Sequence, residues 1–203
     1  MGKQSFFFAS ADRGHRSAQG FTLAELLIAL AILGVIATFT IPKVLVAQQN
    51  SQYTAVAKEA VAMVSGAYQS YLMDNVTTAS THLGDFTEFM NYVSVDTVST
   101  IDRVPGQTSL NCAVATPCLR LHNGAKLLYE PSDAFGGTSA TSAIYFYFDP
   151  DGEYSGSATG QGKSIVFFLY ASGRITTWGS IVPGTAGFYN PTPANDPSWF
   201  SWN

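Results

Sequence analysis

Few side chains in this sequence have both the type and the spacing for chemistry. Glu25 is the first. It is the single charge in an apolar run of 21 residues, Phe21 to Ile41. An isolated ionised carboxylate in lipid costs about 2.5–3.5 kcal/mol, so this one marks a function or has a partner. Cys112 and Cys118 are the two cysteines, six apart, with Pro117 turning the chain between them. In an oxidising compartment they can bridge and pin a loop. Two thiolates without nearby histidines are too few for a zinc site. Asp149, Asp151 and Glu153 alternate like the oxygen ligands of a calcium loop. The EF-hand spacing fails after Gly152 and no late bidentate glutamate follows, so a solvated turn stands beside calcium as a reading. GQGKS at 160–164 has Ser157 where a phosphate loop needs its first glycine, and it runs into a strand where a helix is required. His15, His82 and His122 are scattered, with no nucleophile–base arrangement around them. Catalysis is not expected.

The elements that must position these residues follow from periodicity. At ~1.5 Å per residue the run from Phe21 to Ile41 forms a helix ~31 Å long, enough to cross a hydrocarbon core of ~30 Å. Helical spacing then continues without the lipid-like character. Tyr53, Ala57, Ala60, Val61, Val64, Tyr68, Tyr71 and Leu72 fall at three- and four-residue steps, the mark of a core-facing stripe. A single helix over Thr22–Met73 is expected, ending at Asp74-Asn75. Gly34 and Pro42 are its weak points, because proline removes a hydrogen bond and glycine costs ~1 kcal/mol against alanine. Bending or local melting is expected between them. Asp85 and Glu88 have the layout of an N-cap and its N3 partner, which predicts a short helix over Asp85–Val93. The period then changes to two. Leu119–His122 and Lys126–Glu130 flank Asn123-Gly124, a two-residue hairpin signal. Ala143–Asp149, Lys163–Ala171 and Arg174–Trp178 read as further strands. Four or five antiparallel strands, one face on the helix stripe, make an α+β fold. The tail from Ser180 is too rich in proline for regular structure, and its aromatics are expected on the sheet or on a partner.

Charge orients the chain. Charged residues are 12% of the sequence, about half the usual ~25%, and no basic patch suggests nucleic acid. Residues 1–20 carry Lys3, Arg13 and Arg16 against Asp12, a balance of +2 in a chain of −4. A basic segment before the span and an acidic bulk after it place the first in the cytoplasm and the second outside.

Gly20, Phe21, Thr22, Leu23, an intervening residue and then Glu25 open the apolar helix. This combination resembles the cleavage and methylation motif of type IV pilins and type II secretion pseudopilins. The resemblance is specific over residues 20–45 and only architectural beyond. It implies a leader (1–20), a transmembrane and assembly helix (21–45) and a pilin-like globular domain (46–203) in the periplasm or outside the cell. It implies a prepilin peptidase that cuts after Gly20 and N-methylates Phe21. It gives Glu25 the task of meeting the N-terminal amine of a neighbouring subunit. It makes Gly34 and Pro42 the bounds of a segment that unwinds in filaments. The implied partners are identical or related subunits, an inner-membrane assembly platform and membrane lipid. Some pseudopilins hold calcium in a loop between strands, which adds weight to calcium at Asp149, Asp151 and Glu153; no other cofactor is expected. The cysteine pair departs from the long C-terminal loop that many pilins staple. A membrane-anchored binding domain that never joins a filament is the alternative.

Overall fold

A computed structural model describes residues 21–102, 110–138, 142–154, 163–177 and 196–202. The chain divides into two units at Leu45–Val46, and each is taken by itself.

The apolar run starts a helix, α1 (Leu23–Asp74), 52 residues long and one residue later than the periodicity predicts. Its first turn is closed by its own sequence. Thr22 N–H and Thr22 Oγ1 both donate to Glu25 Oε2 at 2.8 Å, and Glu25 N–H donates back to Thr22 Oγ1 at 3.2 Å. This is a capping box, which satisfies two otherwise orphaned N–H groups. The melting expected between Gly34 and Pro42 is not found: α1 is continuous through both. Thr38 Oγ1 bonds the Gly34 carbonyl (2.6 Å) and Thr40 Oγ1 the Ile36 carbonyl (3.0 Å). Pro42 removes one N–H, the one that would serve the Thr38 carbonyl. That single loss is small against intact turns on either side.

In the second unit, α1 lays Ala57, Ala60, Val64, Ala67 and Tyr68 into the core. Three of the five are alanine, which lets a sheet approach closely. Leu72, expected on this stripe, is exposed. The sheet has six antiparallel strands in the order β1-β4-β5-β6-β7-β8: β1 (Ser94–Asp96), β4 (Cys118–Arg120), β5 (Lys126–Tyr129), β6 (Ala143–Asp149), β7 (Ile165–Tyr170) and β8 (Ile175–Thr177). A separate pair joins β2 (Thr100–Ile101) to β3 (Leu110–Asn111). Register pairs Leu127 with Phe148 and Phe146 with Phe167, so these four face α1 together. Tyr68 ties helix to sheet. Its hydroxyl donates to the Ala171 carbonyl (2.9 Å), so the Thr77 hydroxyl, at 2.5 Å, is left to donate to Tyr68.

Three expectations shift. All six residues of β7 are buried, because the other sheet face carries its own cluster of Ala143, Val166, Phe168 and Tyr170; the sheet is covered on both faces rather than one. The Asn123-Gly124 turn is wider than two residues. Leu121 N–H donates to the Ala125 carbonyl and Gly124 N–H to the Leu121 carbonyl, with Gly124 at φ +91°. That is a three-residue turn ended by a left-handed glycine bulge. The helix expected at Asp85–Val93 is a 3₁₀ helix at Leu83–Phe89. Asp85 accepts the His82 N–H (2.8 Å), so it stands at N3 and His82 at the cap. In the tail, Phe200 and Trp202 meet Phe167 edge-to-face at 5.6 and 6.0 Å, and Trp199 meets Tyr53 at 5.7 Å. Pro183, Phe188, Pro191 and Pro193 lie outside the described residues.

Candidate functional site

The first candidate is the start of α1. From Phe21 to Val46 its large apolar side chains are exposed. A helix apolar all round has to be covered by something, and α1 is long and apolar enough to cross a membrane. Glu25 is exposed among them, with one oxygen held by Thr22. Beyond being a charge in need of a partner, Glu25 is a capping group, and Thr-x-x-Glu is its signal in the sequence. Gly20 lies outside the described residues. Gly34 and Pro42 lie 9 and 17 residues along from Glu25 on the same helix.

The cysteines do pair. Cys112 and Cys118 form a disulfide with a Cα separation of 5.3 Å. It sits beside a polar clamp that the sequence did not reveal. Lys126 Nζ lies 2.8 Å from Ser99 Oγ and 3.3 Å from Asp96, and Ser99 Oγ lies 3.3 Å from Cys112 Sγ. Bonds from Ser99, from the Val98 N–H and from Lys126 hold the Asp96 carboxyl down at about 2. A serine beside a lysine is the geometry of a nucleophile and its base, but this lysine is paired to a carboxylate and acts as a donor. The arrangement fastens the disulfide loop to β5.

The acidic loop is the third candidate. Asp149 is fully buried. Its Oδ2 accepts the Asp102 N–H at 3.0 Å and its Oδ1 has no hydrogen-bond partner. Burial, with the neighbouring Asp151 and Asp102 carboxylates adding to it, pushes its carboxyl up to about 7. Asp151 is already neutralised: Lys163 Nζ pairs with its Oδ2, and the Tyr53 hydroxyl donates to the same oxygen at 3.0 Å. Glu153 is exposed, and what it gives Asp151 is its backbone N–H (3.2 Å). Among the described residues no three acidic, histidine or cysteine side chains converge as a metal site. The described residues do not fit calcium, because an ammonium stands against Asp151, the middle carboxylate of the set. His82 is spent on Asp85 and His122 on Asn91, while His15 and Gly160–Gly162 lie outside the described residues.

A long N-terminal helix packed through its later turns on a small antiparallel sheet is the pilin-like α+β fold. Residues 15–41 match the family described as the prokaryotic N-terminal methylation motif, the hallmark of type IV pilins and pseudopilins. That match supports a type IV pilin-like precursor. No curated protein and no solved structure matches the chain.

Proposed function

We propose that this chain is a structural subunit of a type IV pilus-like filament or a type II secretion pseudopilus, without catalytic activity. It is made as a membrane-anchored precursor, cut by prepilin peptidase between Gly20 and Phe21, and methylated on Phe21. Residues 21–45 then reside in the lipid of the cytoplasmic membrane, with 46–203 on its outer side. An inner-membrane platform adds each subunit to identical or related ones. The observation that carries this reading is the methylation motif at residues 15–41, opening a helix whose apolar surface and single carboxylate are exposed in the monomer. A carboxylate and an amine that are each penalised in lipid stabilise one another when brought together. Glu25 therefore sets subunit register against an incoming Phe21 amine. Gly34 and Pro42 are the weak points that let the intervening turns unwind on assembly.

Mass spectrometry of the mature protein tests processing: an N-methylated Phe21 is expected, and a retained residue 1–20 segment would overturn the proposal. Glu25→Gln tests register, because glutamine still accepts from Thr22 at N3 and so keeps the capping box. Membrane levels and leader cleavage should survive. Sheared-filament yield should fall roughly tenfold or more, since ~1.4 kcal/mol lost at each association step is already a factor of ten. Normal yield from Glu25→Gln would show that subunit register does not depend on this carboxylate.

A further inference from the structure

The loop leaving β6 gathers more negative charge than one buried corner of a domain tolerates alone. Asp149 and Asp151 stand two residues apart, and the buried Asp102 adjoins them through its N–H to Asp149. Buried carboxylates persist only when paired, hydrogen-bonded or bound to a cation. Here one cation is supplied from within the chain. Lys163 lies two residues before β7, and its ammonium pairs with Asp151 while lying 5.7 Å from the centre of the Tyr53 ring. Tyr53, on α1, donates to the same Asp151 oxygen. Three elements distant in sequence thus meet on one carboxylate: the helix through Tyr53, the end of β6 through Asp151, and the start of β7 through Lys163. Ser164, next to Lys163, donates to the Asp102 carbonyl at 2.7 Å and closes the same corner.

At Gly152 the chain leaving β6 is also closely packed. Gly152 is left-handed, at φ +64°, and a Cβ there would lie 2.2 Å from the Gly124 carbonyl oxygen of the β4–β5 turn. Backbone rests on backbone at that point.

We infer that Lys163 is the resident counter-cation of this corner, so that the domain holds the β6 end, the β7 start and α1 together without a divalent metal. The inference concerns the fold of residues 46–203 and stands apart from filament assembly. A chain built this way keeps its folded domain whatever the calcium level around it.

The test is thermal unfolding of the full-length chain in detergent, with excess EDTA or with millimolar calcium, for the wild type, Lys163→Met and Lys163→Arg. Methionine keeps the unbranched stem and removes the charge; arginine keeps the charge. The wild-type melting temperature should be the same with EDTA and with calcium. Lys163→Met should melt roughly 3–10 °C lower, as expected when a partly buried charged hydrogen bond is lost, and Lys163→Arg should recover most of that. A wild-type melting temperature that rises with calcium would overturn the inference, as would Lys163→Met melting together with Lys163→Arg. If Lys163→Met fails to fold while Lys163→Arg folds, the charge requirement is met. The EDTA and calcium comparison on the wild type then decides the metal question.

Discussion

Raising the pH should destabilise this domain through its buried carboxyls, chiefly Asp149. Its carboxyl is held up at about 7 against an ordinary 3.8. The cause is burial first, with the carboxylates of Asp151 and Asp102 adding to it; Lys163 and Tyr53 both contact Asp151. The fold therefore accepts the protonated form and penalises the charged one. A carboxyl raised in this way leaves stability intact below about pH 4. It withdraws stability as the pH rises to about 7, and then the curve levels off. At ~1.36 kcal/mol for each pH unit between the two values, the loss is about 4 kcal/mol. For a domain of this size that lowers the melting temperature by roughly 8–16 °C between about pH 4 and pH 8. Asp133 acts in the same direction. Burial, together with Glu130, lifts its carboxyl to about 6, against a bond from the Tyr145 N–H and the nearby His82; its share is complete by about pH 6. Asp96, at about 2, acts below the window and with the opposite sign. Asp149→Asn isolates the main contribution: the amide oxygen still accepts the Asp102 N–H, and no charge can form. The assay is circular-dichroism melting of wild type and Asp149→Asn across about pH 4 to 8. The variant should lose most of the slope and be the more stable of the two at pH 8. Parallel curves would refute the reasoning, because they would mean that Asp149 is solvated or neutralised without cost.

Four smaller perturbations test the frame. Gly152→Ala should cost more than ~2 kcal/mol in chemical unfolding, since it combines a left-handed φ with a backbone clash. Gly173→Ala, left-handed too but meeting only Tyr68 at 3.9 Å, should cost about 1–2 kcal/mol. The double change Cys112→Ser, Cys118→Ser should lower stability by ~2–3 kcal/mol without abolishing folding, as expected for a short closed loop. Non-reducing peptide mapping should join the two cysteines in the wild type. Tyr68→Phe should cost ~1–2 kcal/mol, because it leaves the Ala171 carbonyl and the Thr77 hydroxyl without their partner.

Which parts of this chain can be read in advance depends on how far apart the cooperating residues lie. The helix Leu23–Asp74 and the strands β6 and β7 are legible because each carries its signal over six residues or more: a helical stripe in the first, aromatic and β-branched runs in the other two. Strands β1, β2 and β3 are two or three residues long and have no period to announce. The 3₁₀ helix illustrates a local ambiguity. Aspartate and glutamate three residues apart fit a cap at Asp85 with Glu88 behind it. Asp85 serves equally well as the N3 group of a helix begun at His82, and the His82 N–H settles the register. Leu72 keeps the stripe's spacing but is exposed, while Tyr71 beside it packs on Phe86, a choice that spacing cannot report. The acidic loop is the hardest case. Asp149, Asp151 and Glu153 alternate as calcium ligands do, and nothing within the loop argues otherwise. The contrary evidence is Lys163, twelve residues on, and Tyr53, ninety-eight residues back, meeting at one carboxylate oxygen. Only the crossing of α1 over the sheet brings them there. A run of oxygen ligands in sequence is thus a statement about charge to be neutralised. Whether a metal or a side chain neutralises it is decided by which distant element the fold lays alongside.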